Sequence, residues 1–461
     1  MRGDRVGHAE GEMIPATWRR SVVAVVGLGK SGVAATRLLA REGVPVYASD
    51  AAERPDGGDA LAALRALPGV EVELGRHDLA KIRGAAAVVV SPGVPPDAPP
   101  LAAAREARVP VVSEIEIGFA ALEGARCIAI TGTNGKTTTT ALVAHVLEAA
   151  GVRAAAVGNI GRPLADIAVA GDRYDWLAVE VSSFQLHDSP HFAPDVGVLT
   201  NLAPDHLDRY PSVAAYYDDK RLLFHNATAQ SVWVLNADDA AVLALAQGAS
   251  GRRVGFSLTR RADGWYDGTA QLLKLGDAPL LPRRELKLLG DHNVANALAA
   301  ALAARAAGVA PEAVARGLGS FRALPHRLEP VREVGGVLWI NDSKATNIAS
   351  TSVAVAAMNR PFVLLLGGRH KGEPYTGLAP RLRERCRLVI VFGEAGPLVE
   401  RDLAGVVPLE RGTTFEDVVA RARRAARPGD VVLLSPACSS YDMFRNYEER
   451  GATFRHLVES L

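Results

Sequence analysis

Short apolar runs recur along the chain, each followed by a loop of small or polar residues and then by a helical pattern. The first run covers residues 21–26, precedes the glycine-rich segment 27–32 and leads into a helical pattern that ends at Arg41. Further apolar runs lie at 44–48 and 85–90. β-Branched runs that alternate with helical patterns are typical of a parallel, doubly wound sheet. The first part of the chain is therefore predicted to form a Rossmann-like α/β domain.

The same pattern restarts twice along the chain. Strands of the second series are predicted at 126–130, 176–181, 196–199 and 231–235. Strands of the third series, which starts near Pro325, are predicted at 337–340, 362–366, 388–391 and 431–434. A chain of 461 residues is also long for one core, since a domain averages roughly 150 residues. We predict three α/β domains, 1–114, 115–323 and 324–461, of which the last is again Rossmann-like.

Composition narrows the classes of protein to which the chain can belong. The net charge of +1 gives no bulk attraction to nucleic acid or to an anionic membrane, so neither is expected as a partner. Three scattered cysteines argue against a disulfide framework and favour a reducing compartment. The N-terminus lacks the apolar segment of a signal peptide, and no apolar run reaches the ~18 residues that cross a bilayer. We expect a cytoplasmic protein in which residues 1–17 have no evident role.

A glycine-rich loop opens the second series. Segment 131–137, Thr-Gly-Thr-Asn-Gly-Lys-Thr, follows a predicted strand and precedes a predicted helix. Its small residues let backbone N–H groups approach phosphate oxygens, and the helix N-terminus adds partial positive charge. Lys136 would reach the β- and γ-phosphates of ATP, and the Thr137 hydroxyl would bind Mg²⁺. Although Ile130 stands where the general motif has its first glycine, the segment predicts a P-loop ATPase-like central domain.

Two further strand ends carry candidate metal ligands. Glu180 follows the apolar residues 176–179, and a carboxylate that caps a buried strand is better explained by metal ligation than by packing. His206 lies in the polar segment 200–208, at the end of the next predicted strand, where α/β sheets bind ligands. From sequence alone, His206 could ligate a metal, contact a substrate or be a solvated loop histidine.

The first loop leaves the class of enzyme open. Segment 27–32, Gly-Leu-Gly-Lys-Ser-Gly, matches the dinucleotide fingerprint, and Asp50 follows at a suitable distance to bind a ribose. An NAD-dependent oxidoreductase is therefore one interpretation. The same turn binds any nucleotide diphosphate, so a nucleotide-linked substrate fits equally well beside an ATP loop. A regulator that binds nucleotide without forming a bond is a third alternative.

Three polar loops follow strands of the third series. They are segments 341–347, 366–371 and 435–442, and each comes directly after an apolar run. Any one of them could be a plain surface loop. Because ligands bind at the carboxyl ends of strands in α/β sheets, three such loops predict one binding rim.

Five segments of the chain together resemble the Mur ligases. They are 131–137, Glu180 with 182–185, 291–296, 325–327 and 341–347, and the resemblance covers nearly the whole chain after about residue 17. Within that family, segments 341–347 and 435–442 are similar to those of the enzymes that add D-glutamate. The Asp-Asn-Pro-Arg motif of the diaminopimelate- or lysine-adding enzymes does not occur here, and Asn134 stands where the L-alanine-adding enzymes usually have His.

The resemblance implies binding roles for individual residues. The uridine diphosphate site would be formed by Lys30, Ser31, Asp50, Ser91 and Gly93, with Gly158 and Asn159 meeting the substrate from the second domain. ATP would be held by Gly132, Thr133, Asn134, Gly135, Lys136, Thr137, Thr138, Asn296, Arg327 and Asp342. D-Glutamate would be bound by Thr346, Lys371, Ser440 and Tyr441. Two positions depart from the family, because Ala51 follows Asp50 in place of a hydroxyl residue and Tyr441 replaces the commoner Leu.

The resemblance also implies a catalytic centre with two Mg²⁺ ions. Thr137 and Glu180 would bind one ion, and His206 would bind the second. Lys220 would be carbamylated, so that its added carboxylate helps to place Mg²⁺; a neutral amine is required for that modification, which excludes Arg at this position. The catalytic residues would be Lys136, Glu180, His206, Lys220 and Lys344.

The implied activity is that of an ATP-dependent, amide-forming ligase of peptidoglycan precursor synthesis. The γ-phosphoryl group of ATP would pass to the carboxylate of UDP-N-acetylmuramoyl-L-alanine. The amine of D-glutamate would then displace phosphate from the acyl phosphate. Only small-molecule partners are expected, and the enzyme is expected to be a cytoplasmic monomer.

Overall fold

The computed structural model describes residues 14–53, 59–122, 125–207 and 209–461. Residues 1–13, most of the N-terminal segment without an evident role, lie outside the described residues. None of the described helices is long and apolar enough to span a membrane. Three β-sheets with flanking helices account for the architecture.

The first sheet is entirely parallel. Its strands are β1 (Val23–Val26), β2 (Val46–Asp50), β3 (Val70–Leu74), β4 (Ala87–Val90) and β5 (Val111–Ser113). Its helices are α1 (Lys30–Arg41), α2 (Asp59–Leu64), α3 (Leu79–Arg83), α4 (Pro99–Glu106) and α5 (Glu114–Ala121). The strand order is β3-β2-β1-β4-β5. Every residue of β1 and β4 is buried, because apolar clusters lie on both faces of the sheet. The predicted Rossmann-like sheet is confirmed.

The second sheet is larger and mixed. Its strands are β6 (Arg126–Thr131), β7 (Ala154–Gly158), β8 (Trp176–Glu180), β9 (Val196–Leu199), β10 (Val232–Asn236), β11 (Arg252–Ser257), β12 (Gly264–Asp267), β13 (Leu272–Leu275) and β14 (Ala278–Pro282). The helices that follow in this part of the chain are α6 (Lys136–Ala149), α7 (Leu164–Ala170), α8 (Ser183–His187), α9 (Val213–Arg221), α10 (Ala240–Leu245), α11 (Asp291–Ala306) and α12 (Pro311–Ser320). The strand order is β14-β13-β12-β11-β10-β9-β6-β8-β7.

The antiparallel edge of this sheet departs from the sequence prediction of strands alternating with helices. β12 pairs antiparallel with β13, and β13 pairs antiparallel with β14. Most residues of these strands are only half-buried or exposed, so they lack the buried apolar runs that predicted strands such as β6 and β9. Tight connections bring each strand back to its neighbour, and no crossover helix is needed.

The third sheet carries the last part of the chain. Its strands are β15 (Glu329–Val334), β16 (Val337–Asn341), β17 (Phe362–Gly367), β18 (Cys386–Phe392), β19 (Leu409–Arg411) and β20 (Val431–Leu434). Its helices are α13 (Ile348–Ala356), α14 (Ala379–Arg385), α15 (Gly396–Asp402), α16 (Phe415–Ala425) and α17 (Tyr447–Glu459). The order is β15-β16-β20-β17-β18-β19, so the last strand in sequence lies between β16 and β17. The four strands predicted here are confirmed, with ends that differ by at most two residues.

Contacts between residues divide the chain into two compact units. One comprises residues 1–283 and 295–319, and the other comprises 284–294 and 320–461. The first two sheets share a unit because α5 packs closely on α7. There the Glu114 carboxylate accepts a hydrogen bond from Ala165 N–H (2.5 Å), and a Cβ on Gly118 would lie 2.7 Å from Leu164 Cβ. The domain boundaries at residues 114 and 323 stay a prediction.

One glycine of the second sheet allows a tryptophan to pack on the backbone. A Cβ on Gly197 in β9 would lie 2.4 Å from the ring of Trp233, which is fully buried. We predict that Gly197→Ala lowers the free energy of unfolding by about 1–3 kcal/mol, because the added methyl group overpacks this contact. Urea unfolding followed by tryptophan fluorescence measures the change. Gly268→Ala is the control, because the nearest atom there is 4.0 Å away; an equal loss in both variants would contradict the packing argument.

Candidate active site

Three neighbouring strands of the second sheet end at one edge and supply the candidate ATP site. β6 lies between β8 and β9, and all three run parallel. The glycine-rich loop follows β6, Glu180 ends β8, and Thr200 follows β9. The strand order therefore brings these three segments to the same edge of the sheet.

The glycine-rich loop is held by the segment that follows β9. Asn134 N–H donates to Asn201 Oδ1 (2.9 Å), while Asn201 Nδ2 and the Thr200 hydroxyl both donate to Asn134 O (2.9 and 2.7 Å). Gly132 has a φ of +144°, and a Cβ there would lie 2.0 Å from Thr200 Oγ1. Gly135 has a φ of +83° and lies just before α6. Glycine is needed at both positions because of this backbone conformation and close packing.

Asn296, from α11, lies directly against the same loop. Its Oδ1 accepts a hydrogen bond from the Thr139 hydroxyl (3.2 Å), and a Cβ on Gly135 would lie 2.4 Å from that oxygen. The sequence separates Asn296 from the loop by more than 150 residues, yet the fold places it beside the first turn of α6. Its predicted position near ATP is therefore consistent with its contacts.

Two lysines converge on one carbonyl of the loop. Lys136 Nζ donates to Gly132 O and Thr133 O (2.8 Å each), and Lys220 Nζ donates to Gly132 O (2.9 Å). The side chain of Lys220 is 1% exposed. Burial, and next the positive charge of Lys136, lower the pKa of Lys220 well below its usual value. This environment favours a neutral amine at Lys220.

Glu180 has an acceptor that the protein leaves without a partner. Asn159 Nδ2 donates to Glu180 Oε1 (3.1 Å), whereas Oε2 is buried and has no hydrogen-bond partner among the described residues. Asn159 N–H also donates to the backbone oxygen of Glu180 (3.0 Å). A Cβ on Gly158 would lie 2.5 Å from that same backbone oxygen. The predicted substrate residues Gly158 and Asn159 thus lie against the predicted metal ligand.

His206 is held among aromatic rings. Its φ is +54°, and its ring lies edge-on to Phe184 (5.3 Å between centroids) and Tyr216 (5.9 Å). Its Nε2 lies 3.8 Å from Asp205 Oδ2. Among the residues that the structure describes, no cluster of three or more His, Cys, Asp or Glu side chains could hold a metal ion. The fold does not bring His206 into such a cluster, and its metal role stays a prediction.

In the first sheet, the predicted uridine-diphosphate residues also hold the loop backbone. The Asp50 carboxylate accepts hydrogen bonds from Leu28 N–H (2.6 Å) and Ala52 N–H (2.8 Å). The Ser91 hydroxyl donates to Gly27 O (2.7 Å), which ties the end of β4 to the end of β1. Lys30 and Ser31 begin α1, which follows β1, and Gly93 lies in the loop after β4. Lys30 and Gly93 are exposed. No pattern in the sequence predicted this structural role of Asp50 and Ser91.

The three polar loops of the third sheet leave neighbouring strands, as predicted. They follow β16, β20 and β17, which are adjacent in that order. Lys371 Nζ donates to the Thr346 hydroxyl (3.4 Å), so two predicted glutamate-binding residues meet. Ser440 is buried, whereas Tyr441 is 64% exposed. Lys344 Nζ lies 5.1 Å from the centre of the Tyr447 ring.

Arg327 and Asp342 are the two predicted ATP-binding residues of this unit, and Asp342 holds the backbone next to Arg327. The buried Asp342 carboxylate accepts hydrogen bonds from Leu328 N–H (3.1 Å) and the Ser435 hydroxyl (2.8 Å). Burial raises the pKa of Asp342 to about 7. His326 and Leu328 both have positive φ angles, +63° and +42°. Arg327 therefore lies in a turn of unusual backbone conformation that Asp342 helps to hold.

Sequence analysis missed Arg450, which is fully buried beneath these loops. A signal was available, because Arg450, Phe454 and Val458 lie four residues apart and share one face of α17. Phe454 and Val458 are fully buried. An arginine in phase with buried apolar residues indicates a buried guanidinium.

Comparisons with known proteins agree with this architecture. Three domain families match successive parts of the chain: "Mur ligase MurD-like, N-terminal domain" at residues 21–113, "Mur ligase middle domain" at 130–304 and "Mur ligase, glutamate ligase domain" at 326–438. Solved structures of similar fold include MurF from Acinetobacter baumannii (TM-score 0.60, 17% identity, 88% of this chain and 89% of that one). MurF ligase from Thermotoga maritima in complex with ADP is another (TM-score 0.60, 18% identity, 90% and 95%).

Relatives of known name match almost end to end. The UDP-N-acetylmuramoylalanine–D-glutamate ligase of Salinibacter ruber is 44% identical over 97% of this chain and 100% of its own length. The enzyme of the same name from Myxococcus xanthus is 43% identical over 95% of this chain and 98% of its own. Identity at this level over the whole length, together with the three matching domains, shows that the chain belongs to the Mur ligase family.

Proposed function

We propose that this protein is an ATP-dependent ligase that adds D-glutamate to UDP-N-acetylmuramoyl-L-alanine in peptidoglycan precursor synthesis. The observation that carries the proposal is the near-full-length identity to ligases of that name. The loop after β6 supports the ATP-dependent step, and the three adjacent loops of the third sheet support recognition of the amino acid.

The reaction joins a carboxylate to an amine by way of an acyl phosphate. The terminal carboxylate of the L-alanyl substrate attacks the γ-phosphorus of ATP, and ADP leaves. The amine of D-glutamate then attacks the acyl carbon, phosphate leaves from the tetrahedral intermediate, and the new amide nitrogen loses a proton. No protein nucleophile takes part, so positioning and electrostatic stabilisation supply the catalysis.

The loop after β6 is built to exchange its own contacts for those of a phosphate. Lys136 now donates to two carbonyls of the loop. When ATP binds, we expect Lys136 to turn to the β- and γ-phosphate oxygens, while Gly135 and the first turn of α6 supply N–H donors. Asn296 holds that turn in place, and Thr138 lies within it.

The side chains near the loop fit a Mg²⁺ ion. Glu180 Oε2 is a buried acceptor without a partner, and the Thr137 hydroxyl is a second oxygen of the kind that Mg²⁺ prefers. When bound, Mg²⁺ neutralises part of the charge on the phosphates. Within the protein, Asn159 orients the Glu180 carboxylate, which keeps its second oxygen available. A second ion with His206 as a ligand belongs to the same proposal.

Lys220 is proposed to carry a carbamate. Carbon dioxide reacts with neutral amines, and burial beside Lys136 lowers the pKa of Lys220. The modification would replace a buried amine, which its surroundings keep neutral, by an anion next to Lys136, and would thereby place opposite charges beside each other. Asp205 and Asp219, the acidic groups that act on Lys220, favour its charged form less strongly than burial disfavours it.

The amino acid is proposed to bind at the loops of the third sheet. Lys371 supplies a positive charge for a carboxylate of D-glutamate, Thr346 orients Lys371, and Ser440 and Tyr441 complete the contact. Lys344 is assigned to catalysis, and Arg327 and Asp342 to ATP. Lys30, Ser31, Asp50, Ser91 and Gly93 are assigned to the uridine diphosphate, and Gly158 and Asn159 to the rest of that substrate. One copy of the chain contributes every proposed group, and we propose that it acts as a monomer in the cytoplasm.

The activity is tested by phosphate release from ATP. We expect release only when both UDP-N-acetylmuramoyl-L-alanine and D-glutamate are present, with L-alanine, L-lysine and diaminopimelate as inactive competitors. Lys136→Ala should lower the rate by about a hundred- to a thousandfold, because the positive charge that faces the transferring phosphoryl group is lost. Binding of the UDP substrate should survive in this variant. Nucleotide binding without substrate-dependent release would instead favour a regulator.

Metal binding is tested apart from turnover. Glu180→Gln removes one anionic oxygen, so we expect the affinity for Mn²⁺ in the presence of ADP, measured by electron paramagnetic resonance, to fall by roughly tenfold or more. Glu114→Gln is the matched control, because Glu114 is also buried and also has an oxygen without a partner. Unchanged Mn²⁺ affinity in Glu180→Gln would remove Glu180 from the metal site.

The carbamate on Lys220 is tested by isotope labelling. Protein equilibrated with ¹³C-bicarbonate should show a carbamate carbon in its NMR spectrum, and Lys220→Arg should lose both this signal and the activity, because a guanidinium forms no stable carbamate. Lys81→Arg, at an exposed lysine paired with Glu71, should keep both. A fully active Lys220→Arg variant would contradict the proposal.

A further inference from the structure

Arg450 is a buried cation whose hydrogen-bond partners are all neutral. Its Nε donates to the Ser343 hydroxyl (3.0 Å), and its two terminal nitrogens donate to Ser343 O (2.8 Å), Cys438 O (3.2 Å from each) and Ser439 O (3.4 Å). Its pKa is lowered by burial to about 10, so the group stays charged at neutral pH. The charge of Asp442 acts on this pKa in the opposite direction, yet among the described residues no carboxylate forms an ion pair with Arg450 within 4.0 Å.

Burying a charge that forms no ion pair lowers the stability of the fold. The burial of Arg450 therefore needs an explanation other than a gain in stability. The partners of Arg450 come from two different loops. Ser343 lies in the loop after β16, and Cys438 and Ser439 lie in the loop after β20. The planar guanidinium offers donors in fixed directions, which lets one side chain hold both loops at once.

The third loop packs against the same group. A Cβ on Gly368, after β17, would lie 3.2 Å from a terminal nitrogen of Arg450 and 2.3 Å from Ser439 O. Arg369 N–H donates to Ser439 O (2.9 Å), and Ser439 N–H donates to Arg369 O (3.2 Å). Arg450 is therefore the shared contact of all three loops of the candidate amino-acid site.

These contacts fix the direction of two peptide groups. In a trans peptide, the carbonyl and the following N–H point in opposite directions, and the described chain has no cis peptide. The Ser439 carbonyl faces the guanidinium, so the N–H of Ser440 faces away from it. The Ser343 carbonyl also faces the guanidinium, and the N–H of Lys344 donates to His326 O (3.1 Å). Arg450 thus sets the backbone of both Ser440 and Lys344.

We infer that Arg450 is a positioning residue of the amino-acid site. It holds the backbone from which Lys344 and Ser440 project, and it does not itself touch the substrate. This inference rests on the proposed function, because it concerns recognition of D-glutamate. Loss of Arg450 should therefore impair use of the amino acid more than use of ATP or of the UDP substrate.

The test compares Michaelis constants for the three substrates. Lysine keeps the charge but carries its donors on one nitrogen, so it cannot hold both loops. We expect Arg450→Lys to raise KM for D-glutamate by about tenfold or more, while KM for ATP and for the UDP substrate changes by less than about twofold. In Arg450→Ala, millimolar guanidinium should lower KM for D-glutamate, and ammonium at the same concentration should not.

Phe454→Leu is the matched control. Phe454 lies one turn further along α17, is fully buried and packs near Trp339, away from the three loops. It should lower the stability of the third sheet without a selective rise in KM for D-glutamate. If Phe454→Leu also raised KM for D-glutamate selectively, a loosened α17 would be sufficient to explain the effect. That result would overturn a specific role for Arg450.

The outcomes separate the inference from the proposed function. A wild-type enzyme without D-glutamate-dependent phosphate release would overturn the proposed function, and the inference with it. An active wild type overturns the inference alone if Arg450→Lys keeps its KM for D-glutamate, or if all three Michaelis constants rise equally. A selective rise, with rescue of Arg450→Ala by guanidinium, supports it.

Discussion

Loops at the carboxyl edges of the parallel strands have no strand partners, so their backbone oxygens need donors from elsewhere in the fold. This requirement is met in a similar way at the candidate ATP site and at the candidate amino-acid site. Lys136 and Lys220 donate to the Gly132 carbonyl, and Arg450 donates to the carbonyls of Ser343 and Cys438. In each case a charged side chain holds the main chain in a conformation that a ligand would recognise.

The contacts of Lys136 and those of Arg450 differ in whether a ligand can take their place. Lys136 lies on the loop that we propose to bind ATP, so its contacts with carbonyls can be exchanged for contacts with phosphate oxygens. Arg450 is fully buried, and its nitrogens donate to the backbone and the Ser343 hydroxyl of its own loops. The first arrangement suits a group that moves during the reaction, whereas the second suits one that keeps a site in shape.

The glycines of these loops follow the same logic. Gly132 has Thr200 pressed against it, and Gly368 has the Ser439 carbonyl at 2.3 Å from where a Cβ would stand. A side chain at either position would push apart two loops that must touch. Each loop therefore combines a glycine that permits close approach with a polar group that holds the neighbour in place.

The sequence alone was enough to determine the strands with apolar runs, the glycine-rich loop after β6 and the polar loops of the third sheet, because these depend on short stretches of chain. It also predicted Glu180 as a metal ligand, from the position of this carboxylate at the end of an apolar strand, and that role stays a prediction. Only the tertiary structure decided that β20 lies between β16 and β17, that β13 and β14 extend the second sheet as antiparallel strands, and that Arg450 joins three loops. Those features depend on contacts between residues far apart in sequence. A local pattern of hydrophobicity or charge does not indicate which distant residues are in contact.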